Sequence, residues 1–230
     1  MRIAVWHNLR SGGGKRALYY HVRGLIERGH SVESWCPPTA DQSYLPLGEF
    51  IPEHIVPFDW THYQGRYPTT RPITSYRNTV TKLGAMDEHC RACAEHINRG
   101  GYDILFANAC TFFRTTPIAR YVKTPTVIYL QEPFRWLYEA MPELPWPALP
   151  GPETGAWSVR YLKRYLTNLV DVQALRVQAR EELTNAKAFD DILVNSLFSR
   201  ESVLRAYGLT AKVCYFGVDT KLFVNQGIFC

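Results

Sequence analysis

The chain has 230 residues and a mass of 26.5 kDa, with 46% hydrophobic and 20% charged residues. These fractions are typical of a globular domain, and they exclude the collagenous, disordered and disulfide-stapled classes. The sequence contains no apolar run long enough to span a membrane and begins without an apolar leader. It therefore predicts a cytoplasmic protein.

The positive charge is concentrated near the N-terminus. The formal net charge is +5, and residues 1–30 account for all of it, because they hold six basic side chains and one acidic side chain. A nucleic-acid-binding protein would instead show a broad basic stripe, so no nucleic-acid partner is expected. The local surplus indicates that the first loop and helix favour an anion.

Apolar periodicity predicts strands that alternate with helices. The expected elements are a strand at 3–6, a helix closed by Gly29, a strand at 30–36, a loop-like stretch at 41–76, a helix at 76–99, a strand at 102–107, a helix at 112–121, a strand at 126–130, a proline-rich insertion without elements at 133–155, a long helix at 161–183, a strand at 191–195, a helix at 200–207 and a strand at 212–216.

This order is typical of right-handed βαβ units, so we expect an α/β, Rossmann-like three-layer αβα domain with a mostly parallel sheet. Ligands of such sheets bind beyond the carboxyl ends of the strands. The positions that follow the predicted strands are 7–15, 108–109, 131–132, 195–196 and 217–219.

A glycine-rich turn, Gly12 to Gly14, opens the first predicted helix and is followed by Lys15 and Arg16. Glycines let a ligand approach the backbone, and the free N–H groups of a helix start favour an anion. A P-loop is excluded, because Leu9 stands where its first glycine would be. A nicotinamide dinucleotide fingerprint stays open, with Glu33 as its ribose contact, and so does a turn that binds nothing.

Two other groups of residues have functional and structural interpretations. One predicted helix carries four potential metal ligands, His89, Cys90, Cys93 and His96. However, ligands from a single helix cannot enclose an ion. We therefore favour core cysteines with exposed histidines, and no metal is expected. Asn195-Ser196 has the composition of a helix N-cap, and we favour a capping role for Ser196 or Ser199 over a ligand role.

Glu132 follows the strand at 126–130, where a carboxylate could meet substrate hydroxyls or a developing positive charge. The alternative is a surface ion pair between Glu132 and Arg135.

Together, several segments resemble the N-terminal half of a family 4 glycosyltransferase of the GT-B type. They are residues 1–5 with the glycine turn, Gly24–Glu33, Leu193–Ser199, Tyr207–Gly208 and Phe216–Phe223. The stretch from Gln131 to Tyr138 is similar to the acidic-proline-arginine segment of one branch. Many relatives carry a histidine where Gln131 stands, so the role of that histidine does not transfer directly.

The resemblance implies a retaining, metal-independent hexosyltransferase that uses a nucleotide-sugar donor and needs no cofactor. It makes residues 1–217 the acceptor-binding domain and 218–230 the start of a linker to an absent nucleotide-sugar-binding domain. Alone, this half would be inactive. The acceptor would be a carbohydrate or a lipid-linked sugar, the latter with peripheral contact at the inner face of the membrane. The alternatives are a non-catalytic partner or regulatory module and, with less support, an NAD(P)-dependent oxidoreductase.

The resemblance also assigns site residues. The residues implied to face the donor diphosphate are Gly12, Gly13, Gly14, Lys15 and Arg16. The implied catalytic residues are Gln131 and Glu132, and those implied to line the acceptor cleft are Asn108, Arg135, Asn195 and Ser196.

Overall fold

The computed structural model describes residues 1–64, 71–138 and 159–217. Its centre is a seven-stranded sheet in the order β3-β2-β1-β4-β5-β6-β7, in which every neighbouring pair is parallel. The strands are β1 Arg2–Asn8, β2 Ser31–Cys36, β3 Glu53–Ile55, β4 Ile104–Cys110, β5 Thr126–Gln131, β6 Asp191–Val194 and β7 Lys212–Val213.

Helices connect these strands and cover the two faces of the sheet. They are α1 Gly13–Glu27, α2 Arg71–Arg99, α3 Arg135–Tyr138, α4 Val159–Ala186 and α5 Leu197–Tyr207, with 3₁₀ turns at Leu47–Glu49 and Pro117–Arg120. The predicted Rossmann-like three-layer fold is confirmed. Within the described residues, no helix is both long and apolar enough to cross a bilayer.

The core is divided between the two faces of the sheet because side chains alternate along each strand. Val5 packs with Leu18 and Val22 of α1 on one face. Trp6, the next residue of β1, packs on the other face with side chains of α2 such as Ile97. Since both faces are covered, β1 is apolar almost throughout, as expected for the interior strand of a parallel sheet.

Three expectations about secondary structure were wrong, and the first is that residues 133–155 hold no element, because Arg135–Tyr138 forms a short helix. The stretch at 41–76 is not only loop, because Glu53–Ile55 forms edge strand β3 and α2 begins at Arg71. Residues 112–121 do not form an α-helix. Thr115 Oγ1 instead donates to the backbone carbonyl of Glu182 in α4, at 2.7 Å, so this segment bonds to its neighbour and keeps only a 3₁₀ turn.

Other boundaries moved by a few residues. β4 continues to Cys110, and β7 is only two residues long. The expected insertion at 133–155 begins with the short helix Arg135–Tyr138. Its remainder, like the linker expected at 218–230, lies outside the described residues.

Helix α5 is bounded by local signals in the sequence. Ser196 Oγ accepts a hydrogen bond from the backbone N–H of Ser199 at 3.1 Å, so the N-cap interpretation is confirmed. At the other end, Gly208 has φ 66°, a left-handed conformation that glycine adopts without a Cβ clash. α5 thus starts and ends where its capping residues are.

Replacing Ser196 with Ala should lower the free energy of unfolding by about 1 kcal/mol, because the first turn of α5 loses its acceptor. Urea unfolding measures the change. Ser75→Ala, an exposed position on α2, is the matched control. Equal values for the two variants would show that the cap contributes nothing.

Candidate functional site

Helix α1 starts directly beyond the carboxyl end of β1. Its N-cap, Gly12, has φ 144° and ψ −168°, a conformation restricted to glycine, and supplies no side-chain cap. The first backbone bond of the helix runs from Arg16 N to Gly12 O at 3.0 Å, so the N–H groups of residues 13–15 precede the helical ladder. A Cβ placed on Gly12 or Gly13 would meet no atom within 4 Å. The turn is therefore open to a ligand on its outer side.

Gln131, at the end of β5, lies against this turn. A Cβ on Gly14 would stand 3.1 Å from Gln131 Nε2, which brings together two segments that are distant in sequence. The backbone of Gln131 has φ 65°, and Glu132 N donates to Leu130 O at 2.8 Å, which closes a strained γ-turn. The Nε2 atom is buried, with no hydrogen-bond partner among the described residues. An unused amide donor thus lies beside the glycine turn.

Asn108 lies on the same face of the sheet, beneath α1. It is in register with Tyr129, whose ring is 4.9 Å from that of His21 in α1. Only 1% of Asn108 is exposed, so it is not at the cleft surface as predicted, because β4 continues past it. Neither of its amide atoms has a partner in the described part of the chain. Such atoms are rare in a protein interior, so Asn108 is an unsatisfied polar group beneath α1.

Lys15 and Arg16 point in different directions. The Lys15 side chain is fully buried below the turn, where burial lowers its pKa and the Glu53 carboxylate opposes that effect. This differs from the expected outward position, and Lys15 Nζ has no hydrogen-bond partner among the described residues. Arg16 is exposed, and its guanidinium donates to Tyr44 Oη at 2.8 and 3.0 Å.

A cluster of buried ionisable side chains lies below the turn, and it was not predicted from the sequence. His7 Nε2 donates to Glu53 Oε1 at 3.0 Å. Burial lowers the pKa of His7. Burial raises the pKa of Glu53, but the hydrogen bond from His7 and the charges of His7 and Lys15 outweigh it and hold that pKa below its usual value. No sequence motif indicates this cluster, because Glu53 belongs to the edge strand β3, which was not predicted from the sequence.

The same cluster contains donor types that zinc prefers. One ligand atom each from His7, Cys36 and Glu53 lie within 4.8 Å of one another. However, His7 Nε2 and Glu53 Oε1 are already hydrogen-bonded to each other, and the nearby Lys15 charge helps to lower the pKa of Glu53. Burial also raises the pKa of the Cys36 thiol to about 12, so Cys36 is neutral near pH 7. We therefore interpret the cluster as an internal ion network.

The four residues considered as metal ligands on α2 do not come together as such. His89 Nε2 accepts from Trp6 Nε1 at 3.2 Å, and its Nδ1 lies 3.1 Å from Pro57 O. His89 is buried, so the expectation of exposed histidines was wrong for it, whereas Cys90 and Cys93 are core residues as expected. Burial raises the pKa of both thiols.

Glu132 is placed between two guanidinium groups. Its Oε1 is 3.6 Å from Arg114 Nη2 and its Oε2 is 3.7 Å from Arg135 Nε. The ion pair with Arg135 was one of the two interpretations of this segment. Arg114 was not identified from the sequence. The carboxylate thus lies at the carboxyl end of β5 with a cation on each side.

Asn195 and Ser196, expected at the cleft, are engaged at the start of α5. Asn195 Oδ1 accepts from Ser199 Oγ at 2.8 Å, and Ser196 is the N-cap. Glu33, the ribose contact of the dinucleotide alternative, lies 3.0 Å from His54 and in register with Ala4 on the face opposite α1. The dinucleotide alternative is therefore not favoured.

Contact between Gly14 and Gln131 can be tested by adding a methyl group. Gly14→Ala should lower the free energy of unfolding by about 1 kcal/mol relative to Gly13→Ala, because only the Cβ at position 14 crowds a neighbour. Urea unfolding of both variants measures this. Adding Gln131→Ala to Gly14→Ala should remove the difference, and a persistent difference would place the strain elsewhere.

No protein-family model matches the sequence, and no curated protein matches it significantly. Solved structures do match. HepE of Anabaena in complex with UDP has a TM-score of 0.52 and 14% identity, covering 96% of this chain and 46% of that one. The same protein with UDP and glucose has a TM-score of 0.52 and 15% identity, covering 99% and 47%. UGT89C1 of Arabidopsis thaliana with UDP has a TM-score of 0.50 and 11% identity, covering 94% and 48%.

These neighbours are GT-B glycosyltransferases, and the chain spans less than half the length of each. At such low identity, the likeness concerns the arrangement of strands and helices. The described chain has the Rossmann-like fold of a GT-B glycosyltransferase domain.

Proposed function

We propose that this chain is the N-terminal, acceptor-side domain of a retaining family 4 glycosyltransferase, which transfers a sugar from a nucleotide-sugar donor to a hydroxyl group. The observation that carries the proposal is the open glycine turn at the start of α1, beside the unpartnered amide of Gln131. The sequence segments that resemble this family and the GT-B fold support it independently.

The glycine turn would bind the donor diphosphate through backbone N–H groups. A helix N-terminus carries roughly half a positive charge, which favours phosphate oxygens. Buried Lys15 would add its charge from below. Exposed Arg16, whose guanidinium donates to Tyr44 Oη in this structure, would add a direct contact. Fixed dipoles and cations of this kind can stabilise a leaving diphosphate without a metal ion.

Gln131 and Glu132 would face the transferred sugar. The Gln131 amide can donate to a sugar hydroxyl, but it cannot exchange protons near pH 7. The Glu132 carboxylate can stabilise positive charge that develops on the sugar ring. Arg135 would then border the acceptor, whereas the buried Asn108 would support the site from beneath α1 without touching the acceptor.

The partners of this domain follow from the proposed reaction. The neighbouring structures hold UDP or UDP with glucose, so a nucleotide-sugar donor is the proposed first substrate. The acceptor is a carbohydrate or a lipid-linked sugar at the cytoplasmic face of a membrane. A second domain must hold the donor at reacting distance, so the isolated chain should be inactive.

Gly13→Val should abolish binding of inorganic pyrophosphate to the turn, because the new side chain occupies the open outer side. In the wild-type chain, pyrophosphate should shift the backbone amide NMR signals of residues 13–15. Gly84→Val, on α2 in equally open space, is the matched control. Unchanged pyrophosphate binding in Gly13→Val would contradict the assignment of the turn.

Glu132→Gln, measured in an enzyme that includes the donor-binding half, should lower kcat by on the order of a hundredfold with little change in KM. This holds if the carboxylate acts mainly in the transition state. Glu88→Gln, an exposed position on α2, is the control. A rise in KM alone would assign Glu132 to acceptor recognition.

A further inference from the structure

We propose that Lys82, held by Trp60 and Phe112, is an acceptor subsite that binds a phosphate or carboxylate group carried by the glycosyl acceptor. The inference rests on the proposed function and names the class of its second substrate. Trp60 follows β3 and Phe112 follows β4, so both rings belong to the carboxyl edge of the sheet, where the glycine turn also lies.

Aromatic rings fix the position of the Lys82 ammonium. Its Nζ is 4.2 Å from the centroid of the Trp60 ring and 4.9 Å from that of Phe112. Phe58 stacks on Phe112 with centroids 5.7 Å apart, and the Trp60 indole N–H donates to Thr81 Oγ1 at 3.3 Å. The ammonium is therefore held by ring faces, which attract a cation but do not accept its hydrogen bonds as an oxygen does.

Lys82 is a half-buried cation with no counter-ion in the described chain. No carboxylate oxygen of the described residues lies within 4.0 Å of it, whereas Arg114 and Arg135 are both paired with Glu132. Lysine is seldom buried without a partner, and burial here lowers its pKa. Its Nζ is not sealed from solvent, so its N–H donors are available to a ligand.

The loop that carries Phe112 connects this cation to the proposed reaction site. Thr111 donates to Asn8 O from its backbone N and its Oγ1, at 2.9 and 2.8 Å, and Asn8 leads into the glycine turn. Two residues after Phe112, Arg114 pairs with Glu132. Phe112 is therefore flanked in sequence by Thr111, which contacts the proposed donor side, and by Arg114, which pairs with the proposed catalytic carboxylate.

This combination indicates the chemistry of the acceptor. A sugar presents C–H groups that pack on aromatic rings, and the ammonium beside those rings would gain a charge-assisted hydrogen bond only from an anionic group. A neutral sugar would leave the cation unpaired. The subsite therefore selects acceptors with a phosphate or carboxylate near the sugar ring.

The test titrates the isotopically labelled chain with α-glucose 1-phosphate, methyl glucuronide and neutral methyl glucoside, and follows the Trp60 indole N–H by NMR. Both anionic probes should shift this signal and methyl glucoside should not. Lys82→Met should weaken the tighter anionic probe on the order of tenfold, while Lys82→Arg retains most of the affinity. Lys187→Met, at an exposed position, is the matched control.

Each outcome has a defined meaning. Tighter binding of glucose 1-phosphate assigns a phosphorylated acceptor, and tighter binding of the glucuronide assigns an acidic sugar. Equal affinity of folded Lys82→Met and wild type for both anions overturns the subsite, as does an equal response to methyl glucoside. Should Lys82→Met unfold, loss of affinity in Phe112→Leu, followed at the same Trp60 signal, decides the question.

Pyrophosphate binding at residues 13–15 should be unchanged in Lys82→Met. If pyrophosphate fails to bind there while Lys82-dependent binding persists, the proposed donor turn fails and the anionic subsite stands. The two proposals can therefore fail separately.

Discussion

Packing of α1 on the central strand determines where the candidate site can be. Leu18 and Val22 of α1 are buried against Ile3 and Val5 of β1. Full burial of each such side chain stabilises the fold by roughly 1.5–3 kcal/mol. Because the helix runs antiparallel to the strand on this apolar contact, its N-terminus must lie at the carboxyl edge of the sheet. The open glycine turn at that edge is therefore a consequence of core packing.

Beneath that turn, ionisable side chains are buried away from water, which is electrostatically unfavourable. His7 is fully buried and hydrogen-bonded to the Glu53 carboxylate. The fully buried Lys15 ammonium has no hydrogen-bond partner among the described residues, but its charge helps to lower the pKa of Glu53. Removal of one member of such a group leaves an uncompensated charge inside the protein, which typically costs 3–5 kcal/mol. The short edge strand that carries Glu53 is thus coupled energetically to the first turn of α1. The shape of the turn and its positive potential depend on residues that a ligand would never touch.

The sequence predicted those features that depend on local patterns. Apolar runs located β1 and β5, capping residues located α5, and glycine composition located the turn. It did not predict β3, which is three residues long and is held by pairing with β2. It also misplaced Asn108, because a strand's length depends on its neighbours. The carboxylate whose pKa Lys15 affects and the rings that contact Lys82 belong to other elements, so no spacing along the chain could reveal them.

The left-handed backbone of Gln131 has a consequence for how this position can vary over evolution. Asparagine, aspartate and histidine adopt positive φ more readily than most residues, whereas valine, isoleucine and threonine are strongly disfavoured there. The γ-turn therefore disfavours substitution by residues that resist positive φ, whatever the chemistry of their side chains. An amide, imidazole or carboxyl side chain at residue 131 thus costs less backbone strain than a β-branched side chain would.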